Sequence, residues 1–237
     1  MKKKVLITGG NKGIGFETAK QLLEKDYYVY IGCRDKAKAA DAIEELNKLG
    51  YAHVEAVDLD VTDEDAIMKA ANEITELDVL INNAGIPGDF PQNASDTSQE
   101  NLRKVFDTNF FGLIQLTQAF IPALKKSALP IIVNVSSDLG SLGNHTNPEW
   151  EHYEVKPLAY CASKTALNAF TVMLAYEFKD TNFKINSVNP GYTKTDFNNN
   201  QGPKSVEDAA ELIVQYAVLD ENGPTGKFFS DNGESPW

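Results

Sequence analysis

The strongest constraint on this 237-residue chain is an alternation of short apolar runs with longer stretches of helical period. Strand-length runs lie at Lys4–Thr8, Tyr27–Gly32, His53–Asp58, Val79–Asn82, Ile131–Ser136, Ile185–Asn189 and Lys227–Ser230. Helical patterns fill the gaps at Gly13–Lys25, Lys36–Leu49, Asp63–Thr75, Gln99–Lys125, Leu158–Lys179 and Ser205–Leu219. Val5-Leu6-Ile7, Val79-Leu80-Ile81 and Ile131-Ile132-Val133 are apolar without a break, as strands covered on both faces must be. Strands joined by helical crossovers predict an α/β fold: a doubly wound parallel sheet of about seven strands with helices on both faces, in three α/β/α layers. No repeat, low-complexity tract or linker interrupts the pattern, so one domain is expected over residues 1–237.

Two stretches lack a period: Gly140–Pro157, and the Asn- and Gly-rich 196–204. Both follow strand ends, where open α/β sheets hold their ligands, and they are read as a substrate wall and a mobile lid. Charge narrows the partners. Asp and Glu number 34 against 22 Lys and Arg, a net charge of −12, which argues against nucleic-acid and anionic-membrane surfaces. Cys33 and Cys161 are too few and too far apart for a disulfide framework, and free thiols fit a reducing compartment. His53, His145 and His152 have no ligand spacing, so no metal is expected. Met1-Lys2-Lys3-Lys4 is followed by an apolar run far shorter than a signal peptide or a span requires. A cytoplasmic protein without membrane or nucleic-acid partners is the expectation.

The first strand runs into Thr8-Gly9-Gly10-Asn11-Lys12-Gly13-Ile14-Gly15, which opens a helix. Glycines allow close backbone approach, and the helix N-terminus offers free N–H groups and a positive dipole end to a diphosphate. Tyr160 and Lys164 are four apart and share one helix face. A neighbouring ammonium favours the phenolate, which would tune a tyrosine for acid–base work.

The spacing Thr-Gly-x-x-x-Gly-x-Gly resembles that of the short-chain dehydrogenase/reductase family. Asn82-Asn83-Ala84-Gly85, Asn134-Val135-Ser136-Ser137, Tyr160-Cys161-Ala162-Ser163-Lys164 and Pro190-Gly191 resemble its further motifs, in order. Gly10-Asn11-Lys12-Gly13, Asn109-Phe110-Phe111-Gly112 and the ending Gly226-Lys227-Phe228-Phe229…Pro236-Trp237 are similar to the carbonyl-reductase branch. The resemblance implies a Rossmann-type dinucleotide-binding domain. Its catalytic residues would be Tyr160 as proton donor, Lys164 tuning it and holding the nicotinamide ribose, Ser137 on the substrate carbonyl, and Asn109 holding a water near Lys164. Its cofactor-binding residues would be Gly9, Asn11, Lys12, Gly13, Ile14, Gly15, Arg34, Asp60, Val61, Asn83, Ala84, Gly85, Tyr160, Lys164, Pro190, Gly191, Thr193 and Thr195. Ser136 is the alternative to Ser137 by a register shift of one.

Cofactor choice turns on the end of the second strand. An acid there would bind a ribose 2′-hydroxyl and repel a 2′-phosphate, whereas this strand ends in Cys33-Arg34, with Lys12 nearby in the glycine loop. Asp35 argues for NAD(H), and an Arg34–Asp35 surface pair is the plainer reading of the arginine. NADP(H) is expected. The function expected is reduction of a ketone or aldehyde to an alcohol, with a small-molecule carbonyl or alcohol as partner. The rivals are an NAD-linked alcohol dehydrogenase and a protein that senses NADPH without catalysis. The 140–157 segment exceeds that of compact family members, which puts a tetramer in doubt and favours a monomer or homodimer.

Overall fold

The computed structural model describes residues 2–237. Its strands are β1 (Lys4–Thr8), β2 (Tyr28–Cys33), β3 (Val54–Asp58), β4 (Val79–Asn82), β5 (Ile131–Val135), β6 (Lys184–Val188), β7 (Phe228–Ser230) and β8 (Gly233–Glu234). They form one sheet in the order β3-β2-β1-β4-β5-β6-β7-β8. All neighbours pair in parallel except β7 and β8, which form an antiparallel hairpin. The helices are α1 (Gly13–Glu24), α2 (Lys36–Lys48), α3 (Glu64–Glu73), α4 (Gln99–Phe106), α5 (Gly112–Leu124), α6 (Leu142–His145), α7 (Leu158–Glu177) and α8 (Val206–Ala217).

The unbroken apolar runs divide between two cores because successive strand side chains point to opposite faces. Val5, Ile7, Val79, Ile81, Ile131 and Val133 join the core beneath α1 and α8. Leu6, Leu80 and Ile132 join the one beneath α3, α5 and α7. These strand residues are essentially fully buried, and each contributes about 1.5–3 kcal/mol of transfer free energy. The chain winds outward from β1 to β3 and then crosses back to β4. The reversal falls between β1 and β4, and a crevice opens beyond their carboxyl ends.

The structure departs from the sequence reading in three places. The described residues hold eight strands where about seven were expected, because β8 spans only two residues and has no readable pattern. The helix expected over Gln99–Lys125 is broken by a π-helical turn, Asp107–Phe111, between α4 and α5. Beside that turn, a Cβ on Gly112 would stand 2.1 Å from the Val61 carbonyl oxygen, so only glycine permits this contact. The 140–157 stretch is irregular apart from α6 at its start, which follows a 3₁₀ turn at Asp138–Gly140. Trp237 stacks on Phe228 of β7 at 5.7 Å between ring centroids. Its carbonyl accepts the Gly143 N–H at 2.9 Å, which ties this end of the chain to the 140–157 segment. Among the described residues, no helix is long and apolar enough to cross a membrane.

Candidate active site

The crevice at the β1/β4 reversal is a cleft of about 960 Å³. Its floor follows from local chemistry. The buried Thr8 hydroxyl accepts the N–H groups of Asn83 at 3.0 Å and Ala84 at 2.9 Å, while Asn83 Nδ2 donates to the Thr8 carbonyl at 2.8 Å. The ends of β1 and β4 are thereby locked together. Gly9 turns away from β1 at φ +64°, a conformation side chains disfavour. A Cβ on Gly15 would meet the Gly9 carbonyl oxygen at 2.5 Å and Asn83 Nδ2 at 2.6 Å. The loop therefore packs tightly against the Asn83-Ala84-Gly85 turn. α1 starts behind Lys12, which supplies no side-chain acceptor, and its first turn holds no acid. Its leading N–H groups and positive dipole end are left to an anion in the cleft.

The sequence-predicted residues converge on this cleft. Gly9, Asn11, Lys12, Gly13, Ile14, Gly15, Arg34, Asp60, Val61, Asn83, Ala84, Gly85, Ser137, Tyr160, Lys164, Pro190, Gly191, Thr193 and Thr195 all line it. Asn109 does not. It is fully buried behind Gly85, where a Cβ would stand 3.3 Å from its Oδ1. Its amide is committed to backbone and a neighbour: Oδ1 accepts the Ile86 N–H at 2.8 Å, and Nδ2 donates to the Ile86 carbonyl at 3.0 Å and Ser163 Oγ at 3.1 Å.

The two expected cations each have an acidic partner. Lys12 Nζ lies 2.9 Å from Asp196 in the 196–204 segment, and Arg34 lies 3.8 Å from Asp60. Lys12, Asp196 and Arg34 are solvent-exposed and Asp60 is half-buried, so each pair is worth about 1 kcal/mol at most. The Arg34–Asp35 pair does not form. Asp35 instead caps α2, accepting the N–H groups of Ala37 at 3.1 Å and Lys38 at 3.2 Å, and pairs with the Lys38 ammonium at 3.3 Å.

Ser137, Tyr160 and Lys164 meet at the far end. Ser136 is buried and donates to Asn168 Oδ1 at 2.7 Å, so it belongs to the interior. Ser137 faces the cleft, accepting only the Leu139 N–H at 3.2 Å. Lys164 is buried, donates to the Val135 carbonyl at 2.8 Å, and sits 5.9 Å from the Tyr160 ring centroid. Burial pushes the Tyr160 phenol up to about 12, with the Ser137 hydroxyl drawing it partly back, and brings the Lys164 ammonium down to about 8. Desolvation is the largest influence on the phenol, which is protonated at neutral pH. Cys161, next to Tyr160, is pushed up to about 11 by burial, so it is a thiol rather than a thiolate.

Two neighbours escaped the sequence reading. Phe197 meets the Tyr160 ring edge-on at 5.7 Å, and Asp196 holds Lys12. A lone aromatic within the polar Asp196–Asn200 run was the available signal for the first.

The model of the short chain dehydrogenase family matches residues 3–205. The chain belongs to that family, and its similarities include the carbonyl-reductase branch. It is 32% identical to (+)-neomenthol dehydrogenase of Capsicum annuum, with 94% of each chain covered. The structure of salutaridine reductase from Papaver somniferum superposes with a TM-score of 0.84 at 29% identity, covering 97% of this chain and all of that one. NADPH-bound carbonyl reductase from chicken fatty liver gives a TM-score of 0.85 at 28% identity, covering 100% of this chain and 99% of that one.

Proposed function

We propose that this protein is an NADPH-dependent carbonyl reductase that converts a ketone or aldehyde to an alcohol. The observation that carries the reading is a half-buried, protonated Tyr160 beside Ser137 and Lys164, in the same cleft as an uncapped helix N-terminus. The cleft suits a dinucleotide. Gly9 and Gly15 keep its floor free of side chains, and its length runs from Arg34 to Tyr160. The 2′-phosphate preference rests on the reachable Lys12 and Arg34, together with Asp35 turning its carboxylate onto α2 rather than offering it to a ribose hydroxyl. The carbonyl reductase of chicken fatty liver, similar over its whole length, binds NADPH.

NADPH, when bound, would supply the hydride that the carbonyl carbon receives. The chain's own residues do the rest. Ser137 Oγ donates to the substrate oxygen and holds it as negative charge develops. Tyr160 Oη gives that oxygen its proton, and the high position of the phenol fits a donor better than an acceptor. The Lys164 ammonium, held by the Val135 carbonyl, favours the phenolate left behind. Phe197, edge-on to the Tyr160 ring, lines the cleft together with His152, Val155 and Pro157 of the 140–157 segment.

The test is Tyr160→Phe. It should lose nearly all turnover, on the order of 10²–10⁴-fold, while binding NADPH as the parent does. Near-parental turnover in that variant refutes the mechanism. Equal or better use of NADH by the parent overturns the cofactor assignment, and Arg34→Asp should move preference towards NADH.

A further inference from the structure

Tyr160 can act only if α7 presents it at a fixed depth in the cleft, and the start of α7 lacks the usual means of fixing itself. The helix begins after Pro157, which offers no side-chain acceptor, and the first N–H bonded within the helix is that of Cys161, to the Pro157 carbonyl at 2.9 Å. The amides before it need partners from elsewhere. Gln92, 4% exposed and 68 residues earlier, supplies two of them. Its backbone carbonyl accepts the Leu158 N–H at 3.0 Å, and its side-chain Oε1 accepts the Tyr160 N–H at 3.1 Å. The other end of the amide, Nε2, donates to the Pro87 carbonyl at 2.7 Å, so both its faces are used and its rotamer is set.

The segment that carries Gln92 is itself held. Asn101 on α4 brackets Asp89, accepting its N–H and donating to its carbonyl, both at 2.8 Å. Asn109 brackets Ile86 in the same manner. A side-chain amide on a pinned loop thus serves α7 as the missing N-terminal cap, and the amide it holds is that of Tyr160.

We propose that Gln92 is the positioning residue for Tyr160: it does not touch the reacting atoms but sets where the phenol stands. This rests on the carbonyl-reductase reading above. Gln92→Met keeps the side chain's length and the backbone cap on Leu158 but removes both side-chain bonds. A displacement of about 1 Å at a reacting group costs about 100-fold, so kcat should fall about ten- to hundredfold. NADPH affinity, carried largely by the glycine loop and Arg34, none of which Gln92 bonds, should stay within about twofold of the parent. Amide hydrogen exchange should accelerate at Tyr160 and not at Leu167 or Thr171, deeper in α7. Gln92→Glu keeps an acceptor for the Tyr160 N–H and, when protonated, regains the donor to Pro87. Its kcat should exceed that of Gln92→Met and approach the parent's as pH is lowered.

A parent that reduces no carbonyl refutes the reading of the site but leaves the exchange result standing. An active parent whose Gln92→Met variant keeps kcat within about twofold, or loses kcat and NADPH affinity in step, overturns the inference. So does a Gln92→Glu variant no better than Gln92→Met. Should Gln92→Met fail to fold, the pH recovery of Gln92→Glu decides.

Discussion

At the scale of single residues, the site is governed by desolvation. Tyr160 and Lys164 are both displaced towards their neutral forms, yet at pH 7 the phenol keeps its proton and the ammonium its charge. Lys164, depressed to about 8, is the first of the two to change as pH rises. Carbonyl reduction is therefore expected to hold through neutrality and to fall above about pH 8. The kcat/KM profile for reduction checks this, and a flat profile to pH 10 contradicts it. The identities of these residues were legible in the sequence because their motifs are local. Their partners were not: Lys12 and Asp196 are 184 positions apart, and no periodicity links them. Asp35 shows the same limit. Its place one residue after Arg34 suggested either a ribose ligand or an ion pair, whereas its oxygens face the amides at the start of its own helix.

At the scale of elements, what the sequence revealed tracks what each element buries. β1, β4 and β5 lie in the middle of the sheet, and their unbroken apolar runs fall where expected. β8 sits at the edge, two exposed residues long, and buries nothing that a pattern could report. The π turn between α4 and α5 was hidden for another reason: the apolar period continues through it, and the close approach beside it is made by backbone, which no side-chain pattern reports. Gly112 carries that contact. Gly112→Ala places a methyl carbon 2.1 Å from the Val61 carbonyl oxygen, so the turn or the loop after β3 must move. The expected cost is about 1–3 kcal/mol, the usual range for overpacking. For a chain of this size the melting temperature should fall by roughly 2–4 °C per kcal/mol. Calorimetry checks this, and an unshifted transition shows that the contact yields freely.

At the scale of the whole molecule, a net charge of −12 surrounds one cleft whose rim carries Lys12 and Arg34. Both are exposed, so their attraction for an anion is screened by salt. Adding salt should weaken NADPH binding more steeply than NADH binding, and parallel titrations of the two at several ionic strengths check it. Equal slopes would mean that neither cation meets the extra phosphate. The Lys12–Asp196 pair has a further consequence, as a built-in competitor. On the function proposed here, one ammonium is sought by a carboxylate of its own chain and by the 2′-phosphate of an arriving molecule. An exposed pair opens far faster than a cofactor arrives, so Asp196 lowers NADPH affinity as a competitor already at equilibrium. Asp196→Asn should tighten NADPH binding by up to about fivefold and leave NADH binding unchanged, and parallel titrations of the two cofactors check it.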